Sequence, residues 1–151
     1  MPVTEPLHAH LVLSSRFENI EIAERALVDL CDFAGFSGDD SYWLVTALRE
    51  AAANAIRHGN RQDPDRSVVI DYRIQDLEIT IRVEDEGEGF DLDTVPDPTD
   101  PGYLLRPSGR GIFYMRQFMS RVEFSRTPAG GTVVEMARRL EPETRSSTDE
   151  E

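Results

Sequence analysis

Two alternating apolar runs joined by a two-residue link constrain the fold more than any other part of the sequence. Val68, Ile70, Tyr72 and Ile74 form the first run; after Gln75-Asp76, the second runs through Leu77, Ile79, Ile81 and Val83. Alternation with period two places every apolar side chain of a strand on one face, so the pair is predicted to be a β-hairpin with one face on a core. Leu7, Ala9, Leu11 and Leu13 repeat the pattern near the N-terminus, and Val122 with Phe124 and Val134 with Met136 flank Pro128-Ala129-Gly130-Gly131 as a final hairpin. Between the first strand and the central hairpin the spacing turns helical. Ala23, Ala26, Leu27, Leu30, Cys31 and Ala34 follow the capping-box spacing of Ser15-Arg16-Phe17-Glu18 and stop at Gly35. A second start signal at Ser37 to Asp40 opens a helix over about 40–58, with Trp43, Leu44, Ala47, Leu48, Ala51 and Ala55 on its apolar side. Ile112, Met115 and Met119 mark a third helix. The order β-α-α-β-β-loop-α-β-β groups strands and helices rather than alternating them. An α+β fold is therefore predicted, a two-layer α/β sandwich with a mostly antiparallel sheet and helices on one face.

Composition narrows the chemistry. All 16 basic residues among the 151 are arginine. The absence of lysine excludes a P-loop, a eukaryotic-type kinase fold and Schiff-base catalysis, each of which needs an amine. A net charge of −13 argues against a nucleic-acid surface. Of that charge, −8 falls in residues 83–105, which hold eight acids and no arginine, and −4 falls in residues 141–151. The second segment has no apolar anchors and is expected to be an acidic disordered tail, leaving 1–140 as a single domain. Residues 90–108 lack periodicity and hold four of the nine prolines, a length and texture that fit a functional lid. One cysteine, no apolar run of membrane-spanning length and no signal sequence lead us to expect a soluble cytoplasmic protein with no membrane partner.

The second helix carries Glu50, Asn54 and His58 four residues apart. Each step advances about 40° beyond a full turn, so the three trace a slow spiral beside the apolar stripe. Helix propensity gives no reason for an asparagine among Ala51, Ala52, Ala53 and Ala55, although this helix alone leaves open a water-bonded asparagine beside a solvated glutamate. Asp85-Glu86-Gly87-Glu88-Gly89 follows a strand, where an aspartate can accept from an exocyclic amine and glycines permit close backbone approach. Gly109-Arg110-Gly111 opens a helix, whose free N–H groups suit phosphate. Gly130-Gly131-Thr132 precedes the last strand, with a hairpin turn as its default reading.

In this order the four motifs resemble the GHKL superfamily of ATPases and kinases. The chain looks most like its free-standing branch, the anti-sigma factor serine/threonine kinases of bacterial partner-switching systems. The match covers about residues 8–138 and is most specific in Glu50-Ala51-Ala52-Ala53-Asn54-Ala55-Ile56-Arg57-His58-Gly59-Asn60 and in Pro107-Ser108-Gly109-Arg110-Gly111-Ile112-Phe113-Tyr114-Met115-Arg116. The resemblance implies a Bergerat-type ATP-binding domain that uses ATP and Mg²⁺ as a protein serine/threonine kinase. Its implied partners are a STAS-type anti-anti-sigma protein and, in the family's logic, a sigma factor, with homodimerisation through the first strand and first helix. Glu50 would be the general base, Asn54 the Mg²⁺ ligand, and Asp85 the holder of the adenine amine, with Thr132 nearby. Gly87 and Gly89 would admit the nucleotide, Gly109 and Gly111 would bring helix amides to the phosphates, and Arg106 or Arg110 would be the phosphate cation. A phosphoacceptor role for His58 is set aside, because histidine kinases carry that residue on a separate helix pair; His58 is expected to cap or pack. An ATP-ordered interaction module without phosphoryl transfer is the alternative.

Overall fold

The computed structural model describes residues 5–36, 38–87 and 115–139. The order of elements is β1 (Leu7–Ser14), a 3₁₀ turn (Phe17–Asn19), α1 (Ile20–Ala34), α2 (Gly38–Asn54), a π-helical turn (Ala55–Gly59), β2 (Ser67–Gln75), β3 (Glu78–Glu84), β4 (Arg121–Arg126) and β5 (Thr132–Arg139). The strands form one sheet in the order β1-β2-β3-β5-β4, and every neighbouring pair is antiparallel. The α+β expectation holds, with the helices on one sheet face. The expected tail, the lid and the start of the third helix lie outside the described residues. Met115 to Phe118, at the end of that predicted helix, are helical, and Met115 and Met119 are buried.

The alternation of β2 and β3 has the predicted consequence. Val68, Ile70, Tyr72, Ile74, Ile79, Ile81 and Val83 are buried against Ala23, Leu27, Leu44, Leu48 and Ala51. Leu77 is the exception. With Asp76 it forms the hairpin turn at positive φ (53° and 63°), and its side chain is exposed. Two left-handed residues match the twist of the strands, so turn geometry overrides the apolar pattern. The Tyr72 hydroxyl crosses the core to donate to the Ala23 carbonyl of α1 at 2.7 Å.

Two further contacts lock the helical layer. Arg49 of α2 donates to Glu24 of α1 at 2.6 Å. Arg138 on β5 reaches the first turn of α2, where its guanidinium bonds Asp40 at 2.8 Å and the Phe118 carbonyl. Trp43 stacks on Phe118 with ring centroids 3.8 Å apart. That stacking gives the tryptophan a half-buried seat on the short helix rather than a place in the central core.

The capping box at Ser15 does not form. The Ser15 hydroxyl donates to the Arg66 carbonyl at 2.8 Å, and Asn19 enters α1 through a 3₁₀ turn without a side-chain cap. A tertiary acceptor outcompetes the local one, because Ser15 is buried beside the start of β2. Gly35 does end α1, in the left-handed conformation at φ 83°.

On the opposite sheet face, His8 and His10 both reach Asp71 Oδ1, at 3.0 and 2.6 Å. Partial burial alone would raise the Asp71 pKa; the hydrogen bonds from His10 and His8 outweigh that effect and hold it below the usual range. Replacing Tyr72 by phenylalanine removes the only side-chain hydrogen bond recorded between α1 and the sheet among the described residues. The Tyr72→Phe variant should lose about 1 kcal/mol of stability, read in urea as a lower midpoint with an unchanged slope.

Candidate functional site

The site is assembled where the end of α2 passes the ends of β3 and β5. Asp85 directly follows β3 and is 2% exposed. Its N–H donates to the Thr132 carbonyl at 3.0 Å, extending the β3–β5 ladder by one residue. Its Oδ1 accepts two backbone N–H groups, from Gly87 at 3.0 Å and Thr132 at 3.1 Å. Oδ2 accepts nothing from the described residues. Burial pushes the Asp85 pKa up, and the Thr132 and Gly87 amides oppose that rise.

Gly59 explains how a carboxylate can sit so deep. A β-carbon there would lie 2.1 Å from Asp85 Oδ2, and one on Gly87 would lie 1.6 Å from the Gly59 carbonyl oxygen. The tight approach demanded of Gly87 is thus to the Gly59 backbone. Gly131 closes the third side, 2.1 Å from the Asp85 carbonyl oxygen by the same measure. The Gly130-Gly131-Thr132 segment serves two ends: it turns the β4–β5 hairpin, with Gly131 N–H on Thr127 Oγ1 at 2.9 Å, and it delivers the Thr132 amide to Asp85.

Sequence reasoning overlooked Gly59. Its signal was present, since a glycine inside a helical pattern marks close backbone approach.

The second helix does not continue unbroken to His58. After Asn54 the backbone widens into a π turn, with the Asn60 N–H bonded to the Ala55 carbonyl five residues back at 2.8 Å. Such turns recur at functional sites. Here the widening brings Gly59 beneath Asp85 and leaves Arg57 and His58 exposed, so His58 leaves the Glu50–Asn54 spiral and does not pack in the core. Arg57 lies over the Phe17 ring at 5.5 Å.

Glu50 and Asn54 both remain on α2, one turn apart. Asn54 is 6% exposed, and its carboxamide has no hydrogen-bond partner among the described residues. Glu50 is half-buried. Partial burial holds its carboxyl above the ordinary glutamate range, and the Arg57 guanidinium opposes the shift. Gly89, Arg106, Gly109, Arg110 and Gly111 lie outside the described residues.

Residues 13–138 match the model of the histidine kinase-like ATPase domain. The chain belongs to that family. Among its relatives, the anti-sigma F factor of Oceanobacillus iheyensis is 31% identical over 134 residues, covering 86% of this chain and 90% of the relative. The serine-protein kinase RsbW of Listeria innocua is 27% identical over 119 residues, covering 75% and 76%. The anti-sigma F factor of Clostridium perfringens reaches 34% over 101 residues, covering 64% and 71%.

An ATPase domain of this family binds ATP, and the residues present fit such a ligand. A buried carboxamide and a buried carboxylate oxygen each lack a partner among the described residues, and leaving such groups unmatched costs about 1–3 kcal/mol apiece. Asp85 Oδ2 suits a donor such as an exocyclic amine, and the Asn54 oxygen is a hard donor of the kind Mg²⁺ takes.

The raised pKa of Glu50 carries a stability consequence. The folded state holds this proton more tightly than the unfolded chain, so the group's contribution to stability is lost as pH rises through its folded pKa. Glutamine is neutral throughout. Glu50→Gln should melt about 2–4 °C above wild type near pH 7, with the gap shrinking toward pH 4, as followed by thermal denaturation across that range.

Proposed function

We propose that this ATPase domain is an ATP- and Mg²⁺-dependent protein serine/threonine kinase and anti-sigma regulatory factor acting on a STAS-type anti-anti-sigma partner. The observation that carries the reading is the pairing of Glu50 with the buried Asn54 one turn apart on α2, the helix whose π-turn extension sets Gly59 against Asp85. The printed names of the relatives, an anti-sigma F factor and a serine-protein kinase, support it.

In this reading each residue has one task. Asp85 would accept the adenine amine at Oδ2, because Oδ1 is already occupied by two backbone amides. Guanine offers a carbonyl oxygen at that position, so the same carboxylate rejects it. Asn54 would hold Mg²⁺ through its side-chain oxygen. Glu50 would take the proton of the incoming serine or threonine hydroxyl, and its raised pKa makes it a stronger base than an exposed glutamate. Mg-ATP supplies the transferred phosphoryl group and neutralises charge on it. Gly87, Gly89, Gly109, Gly111 and Thr132 complete the proposed nucleotide contacts, with Arg106 or Arg110 as the terminal-phosphate cation. A sigma factor is the proposed second partner. The working form is proposed to be a cytoplasmic homodimer.

Incubation with Mg-ATP and STAS-type proteins of the same genome should give acid-stable phosphoserine or phosphothreonine on one of them. ATP binding with no phosphoester on any candidate would refute the kinase and leave the interaction module. Glu50→Gln should bind ATP like wild type and lose at least about 100-fold in transfer rate, the scale of general-base catalysis. Asp85→Asn should weaken ATP binding about 10- to 100-fold, the worth of a hydrogen bond to a charged group, as measured by calorimetry.

A further inference from the structure

We propose that Asn60 is the positioning residue that sets the adenine-recognising edge of Asp85, through a buried four-way junction joining α2, β1, β2 and the loop after β3. The inference rests on the reading of Asp85 given above and names a determinant of nucleotide choice outside the ligand's reach.

Asn60 is 0% exposed, the most deeply buried polar residue among those described. A carboxamide at that depth must satisfy its donors and acceptor within the protein. Its Nδ2 donates to Ser15 Oγ at 2.7 Å and to the Ser67 carbonyl at 3.0 Å. Its Oδ1 accepts the Glu86 N–H at 2.8 Å. Two acceptors on one side and one donor on the other fix the amide's orientation without ambiguity. Its backbone is committed as well, with N–H on the Ala55 carbonyl at 2.8 Å and the carbonyl accepting from Asp63 N–H at 3.0 Å.

Each partner has a place in the fold. Ser15 directly follows β1, Ser67 begins β2, and Ala55 opens the π turn. Glu86 is the residue after Asp85, and its own carboxylate returns to the Ser67 N–H at 2.8 Å. Asn60 therefore grips the backbone one residue beyond the buried aspartate, while Gly59 lies against that aspartate's Oδ2. The loop after β3 has left the sheet ladder at this point. Among the described residues, the Asn60–Glu86 bond and the Glu86–Ser67 bond join the two amides on Oδ1 in holding residues 85–87 in register.

No other side chain of this size substitutes. Aspartate lacks the two donors and would face the Ser67 carbonyl with an oxygen. Serine cannot span Glu86 and Ser67 at once.

The placement predicts coupling between Asn60 and Asp85 in ligand binding. Affinity for the Mg²⁺ complexes of ATP and GTP is measured for wild type, Asn60→Ala, Asp85→Asn and the double variant, below each variant's melting temperature. Asn60→Ala should bind ATP about tenfold more weakly and lose part of its preference over GTP, yet cost almost nothing further in the Asp85→Asn background. A residue that merely supports the fold would lower the melting temperature and leave the ATP affinity of the folded protein unchanged. That outcome, or an equal loss in both backgrounds, overturns the inference while the adenine site stands. If wild type fails to bind ATP, or Asp85→Asn binds like wild type, the reading of the site falls and the inference with it. Should Asn60→Ala not fold, Ser15→Ala removes one of the two Nδ2 acceptors. It should weaken ATP binding about two- to threefold, only when Asp85 is present; no effect, or the same effect without Asp85, overturns the inference.

Discussion

A carboxylate kept in the interior sets the terms for the rest of this structure. Removing a charge from water costs several kcal/mol unless hydrogen bonds compensate. Asp85 receives two backbone amides on one oxygen, and its other oxygen accepts nothing from the described residues. Those amides exist in the right place only because β3 and β5 are neighbours, although β4 intervenes between them in the chain. The space exists only because Gly59, Gly87 and Gly131 have no side chains. Remove the pairing of those two strands and Thr132 is no longer beside Asp85.

The helical layer is organised around the same point. Arg138 ties the start of α2 to β5, Arg49 ties its middle to α1, and the π turn shapes its end. A regular continuation would have kept His58 in line with Asn54. Widening by one residue instead delivers Gly59 and Asn60 inward, where one makes room for the aspartate and the other secures the loop that follows it. Asn54 and Asp85 Oδ2, polar groups without hydrogen-bond partners among the described residues, sit where binding a ligand would relieve their cost. Stability is given up at the site and recovered in the core beneath it, where Tyr72, Leu27, Leu44 and Leu48 are fully buried.

Much of this was legible in the chain. Period-two alternation identified the faces of β1, β2 and β3, and Gly35 ended α1 where a left-handed cap was expected. Asn54 stood out because helix propensity gives no reason for it, Glu50 by its spacing one turn before it, and Asp85 by the glycine pattern that follows a strand. Leu77 and Ser15 misled for one shared reason. A local pattern suggested a strand residue and a helix cap, but a left-handed turn and a carbonyl on Arg66 made the better use of them. Asn60 lay inside the most specific motif, but its burial left no local signal, since an asparagine after glycine reads as a surface turn.

Local spacing in the chain set the element types, the sheet faces and the order of the four motifs, because each depends on residues close together in the sequence. Only the tertiary structure decided that Asp85 meets Thr132 across 47 residues, that Gly59 lies under its carboxylate, and that Asn60 joins Ser15 to Glu86. Those contacts arise from strand order and a backbone detour, and neither leaves a periodic trace in the chain.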